Sequence, residues 1–184
     1  MRTLRNTLLL VGAMVVGLSL TQTSSAEGLD AAVQTKIDAK IKDIQKLAAD
    51  PAIVAAVKDA NAKPASEMTQ DKWKSLNMLS PEVKAFTKNP AADVLKKFRD
   101  AVVTEGFLSR ADGEKVAFLA KTTNWSHKGK PKHDVPMTGK TWQGPVEVDE
   151  SSGQQQLQVS VPVLDGDKPI GSLVIGLGIA KLKD

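Results

Sequence analysis

The chain has 184 residues, of which 41% are hydrophobic and 25% are charged, and its formal net charge is +4. These values are ordinary for a soluble globular protein, and a net charge this small argues against nucleic acid as a partner. The sequence contains no cysteine, which excludes disulfide bonds, thiol catalysis, covalent haem attachment and metal sites built on thiolates.

Residues 1–26 have the composition of a secretory signal peptide. Two arginines precede an apolar run at residues 7–20, and small residues lead up to Ala26. The run is shorter than the ~20 residues that span a bilayer, so we expect cleavage after Ala26, with a retained anchor as the alternative. Residues 27–184 would then form a single exported, periplasmic domain of formal charge +2, because the removed segment carries two arginines and no acidic residue.

The first predicted helix covers residues 29–49. Apolar residues recur there every three or four positions, which is typical of an amphipathic helix. They are Leu29, Val33, Ile37, Ile41, Ile44, Leu47 and Ala48. The stripe is narrow and nearly heptad-like, so a homodimer through this helix is an alternative to packing on the protein's own sheet.

Three prolines mark the starts of further helices. Pro51, Pro81 and Pro90 each follow an Asp, Ser or Asn, the combination of an N-cap residue with proline at the first helical position. We therefore predict a second helix from Pro51 and two shorter helices after residue 80.

From about residue 105 the periodicity changes to that of strands. Asp-Gly turns at 112–113 and 165–166 predict two hairpins, the second of which covers residues 154–179. Another strand is predicted at 141–148. With no helix between them, the five strands predict an antiparallel sheet, with the long N-terminal helix and the shorter helices packed on one face. The predicted fold class is α+β.

The last predicted strand has one large apolar face and one face of small residues. The large residues are Leu173, Ile175, Leu177 and Ile179, and the small face holds Ser172, Val174, Gly176 and Gly178. Because glycine inside a strand leaves no side chain to pack, we expect a helix or a ligand to lie close to the backbone there.

Four stretches of the sequence resemble the single Cache domain family, the extracytoplasmic PAS-like sensor module. They are residues 47–53, 111–117, 146–148 and 159–173, and the last stretch is the most specific. The resemblance extends over nearly all of the predicted mature chain.

This resemblance implies a sheet in PAS-like strand order, with the long helix on one side. It places a small-molecule pocket on the other side, roofed by residues 122–140. Family members usually lie outside the membrane in chemoreceptors and sensor kinases. Nothing after residue 179 is expected to span a membrane, so the chain resembles a freestanding periplasmic member that signals through a separate membrane partner. The paired arginine and aromatic motif of amino-acid-binding double Cache domains is not present, which leaves the ligand open.

The predicted loop at residues 122–140 is where we expect a ligand to bind, because loops longer than ~12–15 residues in compact domains are often functional. The loop is basic and is bordered by tryptophans, which would suit a small anionic metabolite with a carboxylate. The predicted ligand-binding residues are Arg110, Lys121, Thr123, Asn124, Trp125, His127, His133, Lys140 and Trp142. The alternatives are lysines that are merely solvated and tryptophans that merely pack.

Metal binding and catalysis find little support in the sequence. His127, His133 and Asp134 are suitable metal ligands, but their spacing matches no familiar motif, and the chain has only 2 histidines. A Gly-x-Ser-x-Gly nucleophile elbow is not present. We therefore predict that the protein is not an enzyme and binds neither a metal nor a cofactor.

Two hypotheses of different classes follow from these observations. The first is a periplasmic Cache-type protein that binds a small anionic metabolite and signals through a membrane partner. The second is an exported interaction or dimerisation module that is not an enzyme and has no ligand.

Overall fold

The computed structural model describes residues 29–148 and 153–184. The predicted signal peptide, residues 1–26, and most of the predicted turn before residue 154 lie outside these ranges. Within them, no helix is both long enough and apolar enough to cross a bilayer.

Helices make up the first part of the described chain. They are α1 (Ala31–Ala48), α2 (Pro51–Asn61), α3 (Gln70–Ser75), α4 (Pro81–Thr87) and α5 (Pro90–Phe98). The side chains of Asp50 and Asn89 cap α2 and α5, accepting backbone N–H groups of Ala52 at 2.8 Å and Ala92 at 2.9 Å. The predicted helix starts at Pro51, Pro81 and Pro90 are confirmed, whereas α3 has no comparable signal in the sequence.

The strands form one antiparallel sheet. They are β1 (Val103–Arg110), β2 (Lys115–Phe118), β3 (Trp142–Gln143), β4 (Glu147–Val148), β5 (Gln155–Asp165) and β6 (Lys168–Gly178). Their order is β2-β1-β6-β5-β3, and β4 also pairs with β5. This is the PAS-like order that the family resemblance implies, and the predicted α+β class is confirmed.

The predicted strand at residues 141–148 is divided into β3 and β4. Both pair with β5, so the sheet has six strands in five positions rather than five continuous strands. The interruption contains Pro145, which has no N–H to donate to the sheet. Gly144 before it still donates its backbone N–H to the oxygen of Gln158 over 2.8 Å, so the two short strands stay on the same edge.

The first face of the sheet packs on α1 and α2. Their buried apolar residues share one core with the large residues of β5 and β6, including Leu173, Ile175 and Leu177. The α1 stripe is part of this core, with Val33, Ile37, Ile44 and Leu47 all buried. That stripe is therefore not the surface through which a homodimer could form, because it already packs on the protein's own sheet.

The second face of the sheet carries a separate cluster. Trp73 of α3 and Val83 of α4 pack there with Phe107, Phe118 and Val174. The sequence predicts all the shorter helices on one face together with α1. This part of the prediction is wrong, because α3 and α4 pack on the second face. Helix α3 crosses to the second face because its indole ring is the one large apolar group in its short sequence and is fully buried there.

On the small-residue face of β6, Val174 packs with Trp73 of α3, whereas Gly176 faces neither a helix nor an empty space. A Cβ on Gly176 would lie 2.6 Å from Glu105 Cγ and 2.6 Å from Thr104 Oγ1. Glu105 accepts the amide N–H groups of Gln158 at 2.5 Å and Gln156 at 3.3 Å. Polar side chains of β1 and β5 therefore lie over this glycine, which corrects the expectation of a helix or a ligand at that point.

Candidate functional site

Residues 122–140, which we call the cover segment, lie on the second face of the sheet. The segment contains α6 (Pro131–Asp134) and a 3₁₀ helix (Pro136–Thr138). His133 Nδ1 lies 2.8 Å from Ser172 Oγ of β6, and the Ser160 hydroxyl of β5 donates to a backbone oxygen of the cover segment over 2.6 Å. The predicted loop is therefore a packed layer of the fold.

Helix α3 holds the beginning of the cover segment. The indole N–H of Trp73 donates to the backbone oxygen of Thr122 over 2.7 Å. Gln70 donates to the oxygen of Thr123 and accepts the backbone N–H of Trp125, each over 2.9 Å. These three hydrogen bonds explain why α3 crosses to this face.

The β1–β2 turn holds the next part of the cover segment. Gly113 accepts the backbone N–H of His127 over 3.0 Å, and the Ser126 hydroxyl donates to the oxygen of Asp112 over 3.1 Å. Gly113 has a φ of +84°, and a Cβ there would lie 2.4 Å from the backbone nitrogen of Lys128. Glycine is thus required twice, for its left-handed backbone and for the close approach of the cover segment.

Lys115 is the charged group at the centre of this face. It is 3% exposed, its Nζ lies 3.4 Å from Ser109 Oγ, and the same nitrogen contacts Nδ1 of His127. The ammonium also lies 4.6 Å above the ring of Phe107. Since a lysine ammonium can only donate, His127 accepts at Nδ1 and carries its own proton on Nε2.

The charge of Lys115 is not balanced locally. Burial lowers the pKa of Lys115 to about 7, and repulsion by Lys132 adds to that effect while Glu105 opposes it. Among the residues that the structure describes, none places a carboxylate oxygen within 4.0 Å of the Lys115 Nζ.

The two histidines of the cover segment are buried and neutral. Burial and then the charge of Lys115 hold the pKa of His127 far below its ordinary value, and its ring stacks on Phe107 at a centroid distance of 4.7 Å. Burial also lowers the pKa of His133, against the opposing effect of its hydrogen bond to Ala111. Nε2 of His133 lies 3.2 Å from the Ala111 oxygen, so Nε2 carries the proton and Nδ1 accepts from the hydroxyl of Ser172.

Trp125 lies in an aromatic cluster beside this site. Its ring centroid is 5.2 Å from that of Trp73 and 5.4 Å from that of Phe86. Its indole nitrogen is buried and has no hydrogen-bond partner among the described residues. Lys121, which directly precedes the cover segment, places its Nζ 4.8 Å over the ring of Trp73. Lys121 therefore lies beside the aromatic cluster and not among the contacts of Lys115.

The structure does not bring Arg110 into the Lys115 group. Its guanidinium lies 3.2 Å from the carboxylate of Asp112 and 4.0 Å from that of Glu114. It also donates to the backbone oxygens of Pro64 at 3.1 Å and Lys63 at 3.0 Å. Arg110 therefore braces the chain between α2 and α3.

The remaining predicted residues lie away from Lys115. Thr123 and Lys140 are exposed and Asn124 is half-buried. Trp142 is half-buried on β3, where it pairs opposite Ser160 and lines a cavity of about 10 Å³, which is at the lower limit for holding a single water molecule. Of the nine predicted residues, the structure places His127 in contact with Lys115 and His133 on neighbouring Ser172, with Trp125 in the adjacent aromatic cluster.

Sequence reasoning missed three residues of this site. Lys115, Ser109 and Ser172 are each within 3% of complete burial. The sequence could have indicated Ser109 and Ser172, because both lie at inward-facing positions of strands that are otherwise apolar. Lys115 gives no such signal, since a lysine directly after a turn is ordinarily exposed.

A second concave region lies at the opposite end of the sheet. It is an open groove of about 1030 Å³ between the start of α1 and the last helix, α7 (Ile179–Lys183). Its lining includes the apolar residues Leu29, Val33, Val146, Ile179 and Leu182.

Comparison with known proteins identifies the fold. No protein-family model matches this sequence, and no curated protein matches it. The PAS-like sheet with its long first helix and its cover segment is similar in fold to solved sensor domains, which supports the predicted resemblance at the level of the fold.

Particular solved structures define the likeness. The sensor domain of the histidine kinase DctB from V. cholerae matches 83% of this chain with a TM-score of 0.52 and 14% identity, and the chain spans 52% of that domain. The ligand-binding domain of the Pseudomonas aeruginosa amino-acid chemoreceptor PctC with GABA matches 82% of the chain and 58% of that domain, with a TM-score of 0.49 and 11% identity. The ligand-binding domain of the Pseudomonas fluorescens chemoreceptor CtaA with L-serine matches 82% of the chain and 55% of that domain, with a TM-score of 0.47 and 15% identity. This chain thus spans about half the length of the domains it matches.

Proposed function

We propose that this chain is a periplasmic binding protein of the sensor type that holds a small anionic molecule, through a carboxylate, against the second face of its sheet. The observation that carries the proposal is the environment of Lys115. Its Nζ is buried against the neutral acceptors of Ser109 and His127, with no carboxylate of the described residues in reach. A buried cation without a counter-charge is unfavourable, and a ligand carboxylate would supply that charge.

The ligand would bind beneath the cover segment. To reach Lys115, a carboxylate would replace His127 Nδ1 as the acceptor of the ammonium, so the cover segment must shift. The buried indole N–H of Trp125 is a further donor for the ligand, since it has no partner among the described residues. The rearranged cover segment would then change the surface that a separate membrane partner reads, with α1 as the element that connects the core to that partner.

The Cache-type fold supports a sensing role rather than a catalytic one. The V. cholerae DctB domain, which has the same fold, is the sensor part of a histidine kinase. Export by cleavage of residues 1–26 remains part of the proposal. Intact-mass measurement of the protein from the periplasmic fraction tests it, because cleavage after Ala26 fixes one mass and a retained anchor fixes another.

A second candidate is an exported interaction module that binds no small molecule. It is favoured by how fully the protein's own side chains fill the second face. Trp73 and Phe118 are 0% exposed and Trp125 is 6% exposed. In this case the aromatic cluster would be a core, and any partner would bind at the outer surface.

A thermal-shift screen separates the two candidates. The protein, exported and processed by its host, is heated with acetate, lactate, succinate, single amino acids and simple amines. A compound that binds only the folded state raises the melting temperature, by an amount equivalent to about 2.7 kcal/mol at 100 times its Kd. We expect shifts with carboxylates, lost in Lys115→Met and kept in the control Lys97→Met, whose side chain is exposed on α5. No shift with any compound, together with a dimer that depends on concentration, would favour the second candidate.

A further inference from the structure

The protonation of Lys115 is coupled to whatever occupies the site. In the closed arrangement its ammonium has only neutral acceptors, the hydroxyl of Ser109 and Nδ1 of His127. Neutral acceptors hold a proton on a buried amine less strongly than a carboxylate does. Lys115 should therefore hold its proton firmly when an anion is bound beside it and only weakly when no anion is bound.

We infer that a carboxylate binds at Lys115 together with one proton taken from solvent, so that the affinity of the site depends on pH as well as on the concentration of the acid. This inference rests on the proposed function. The proton balance is simple: the neutral Nζ of Lys115 gains H⁺ from water or buffer, the ligand enters as its carboxylate, and the new ion pair is neutral overall.

The charged and titratable groups that face Lys115 are few. Glu105 of β1 attracts its proton from beyond ion-pair distance, and Lys132 of α6 repels it. His127 and His133 of the cover segment are both neutral, since burial lowers the pKa of each. With Lys115 itself at a pKa of about 7, its neutral form is abundant just above neutral pH, which is where proton uptake would be visible.

Isothermal titration calorimetry tests the inference directly. The strongest binder among acetate, lactate and succinate is titrated at pH 5.5, 8 and 9. At each pH two buffers are compared that titrate near that pH and differ in ionisation enthalpy, such as HEPES and Tris at pH 8, and phosphate is left out because it is an anion that could compete for the site. We expect uptake of about 0.9 proton per ligand at pH 8 and close to none at pH 5.5, with Kd rising about tenfold between pH 8 and 9. Lys97→Met should behave like the wild type.

The outcomes separate two failures. Absence of binding heat for all three acids at every pH would overturn the proposed function and this inference with it. Binding without proton uptake, at a Kd that is flat between pH 8 and 9, would overturn this inference alone. A measurement without ligand is independent of both: if NMR titration of the free protein places Lys115 near 10.5, no proton remains to be taken up, and the inference is wrong.

Discussion

His133 and Ser172 join the cover segment to the sheet through a hydrogen bond of 2.8 Å that exists in this form only while the imidazole is neutral. Nδ1 accepts from the hydroxyl because Nε2 donates its single proton to the Ala111 oxygen. Protonation would reverse this bond, since the serine oxygen can also accept, and would place a positive charge in a buried position. The layer over the second face is therefore sensitive to acid at a defined point.

Stability should fall as the pH decreases below about 6.5. The pKa values of His127 and His133 are lowered in the folded state, so below 6.5 the unfolded chain binds more protons than the folded chain. Stability from these groups is complete above pH 6.5 and decreases at lower pH by up to about 1.4 kcal/mol per pH unit for each histidine. Urea unfolding between pH 5 and 8 measures this slope. His133→Gln should have a smaller slope, and an unchanged slope would contradict the assignment.

Lys115→Met should raise the free energy of unfolding at neutral and acid pH, by about 1–3 kcal/mol. The pKa of Lys115 falls from 10.5 to about 7 on folding, so the wild type gains stability as pH rises from 7 towards 10.5. The advantage of the methionine variant should therefore shrink over that range. Chemical denaturation at pH 6, 8 and 10 measures the free energy of unfolding of both proteins. If Lys115→Met is less stable than the wild type at pH 6, the charge of Lys115 is already balanced in the folded protein.

Gly113→Ala and Gly129→Ala form a matched pair. Both glycines have a left-handed backbone, with φ of +84° and +81°, but a Cβ at Gly129 meets nothing within 4 Å. Gly129→Ala should cost about 1–2 kcal/mol for its backbone alone. Gly113→Ala should cost more, because its Cβ would press on the backbone of Lys128. Thermal unfolding compares the two, and equal losses would mean that the cover segment yields freely at this contact.

Trp73→Phe should loosen the cover segment more than Trp142→Phe does. Phenylalanine at 73 removes the 2.7 Å bond to the Thr122 oxygen and should cost about 1–3 kcal/mol, whereas Trp142 is half-buried at the sheet edge. Hydrogen exchange of backbone amides at residues 125–134 reports the effect locally. Faster exchange there in Trp73→Phe only is the expected result, and no change would mean that α3 does not hold the segment.

Local signals in the sequence were sufficient for most of the fold. Proline after an N-cap residue located the starts of α2, α4 and α5, because that pairing satisfies the first turn of a helix without other contacts. Asp-Gly turns and period-two alternation located both hairpins for the same local reason. Helix α3 depends on tertiary contacts with the cover segment, and the division between β3 and β4 follows from Pro145, whose missing N–H the strand prediction at 141–148 did not take into account.

The candidate site was accessible from sequence only in part. His127 and His133 stood out because imidazoles are rare in this chain and lie in a long connection. Lys115 did not, because its burial is created by residues that follow it by more than ten positions and fold back over it. Arg110 looked like a ligand contact from its place at a strand end, yet its two terminal nitrogens donate to the backbone oxygens of residues 63 and 64.

A crystal structure of the protein with the acid that gives the largest thermal shift would show whether Lys115 is the group that binds the ligand. We expect the carboxylate within hydrogen-bond distance of Lys115 Nζ, beneath a displaced His127. The acid bound instead in the groove between α1 and α7, with the contacts of Lys115 unchanged, would contradict this expectation.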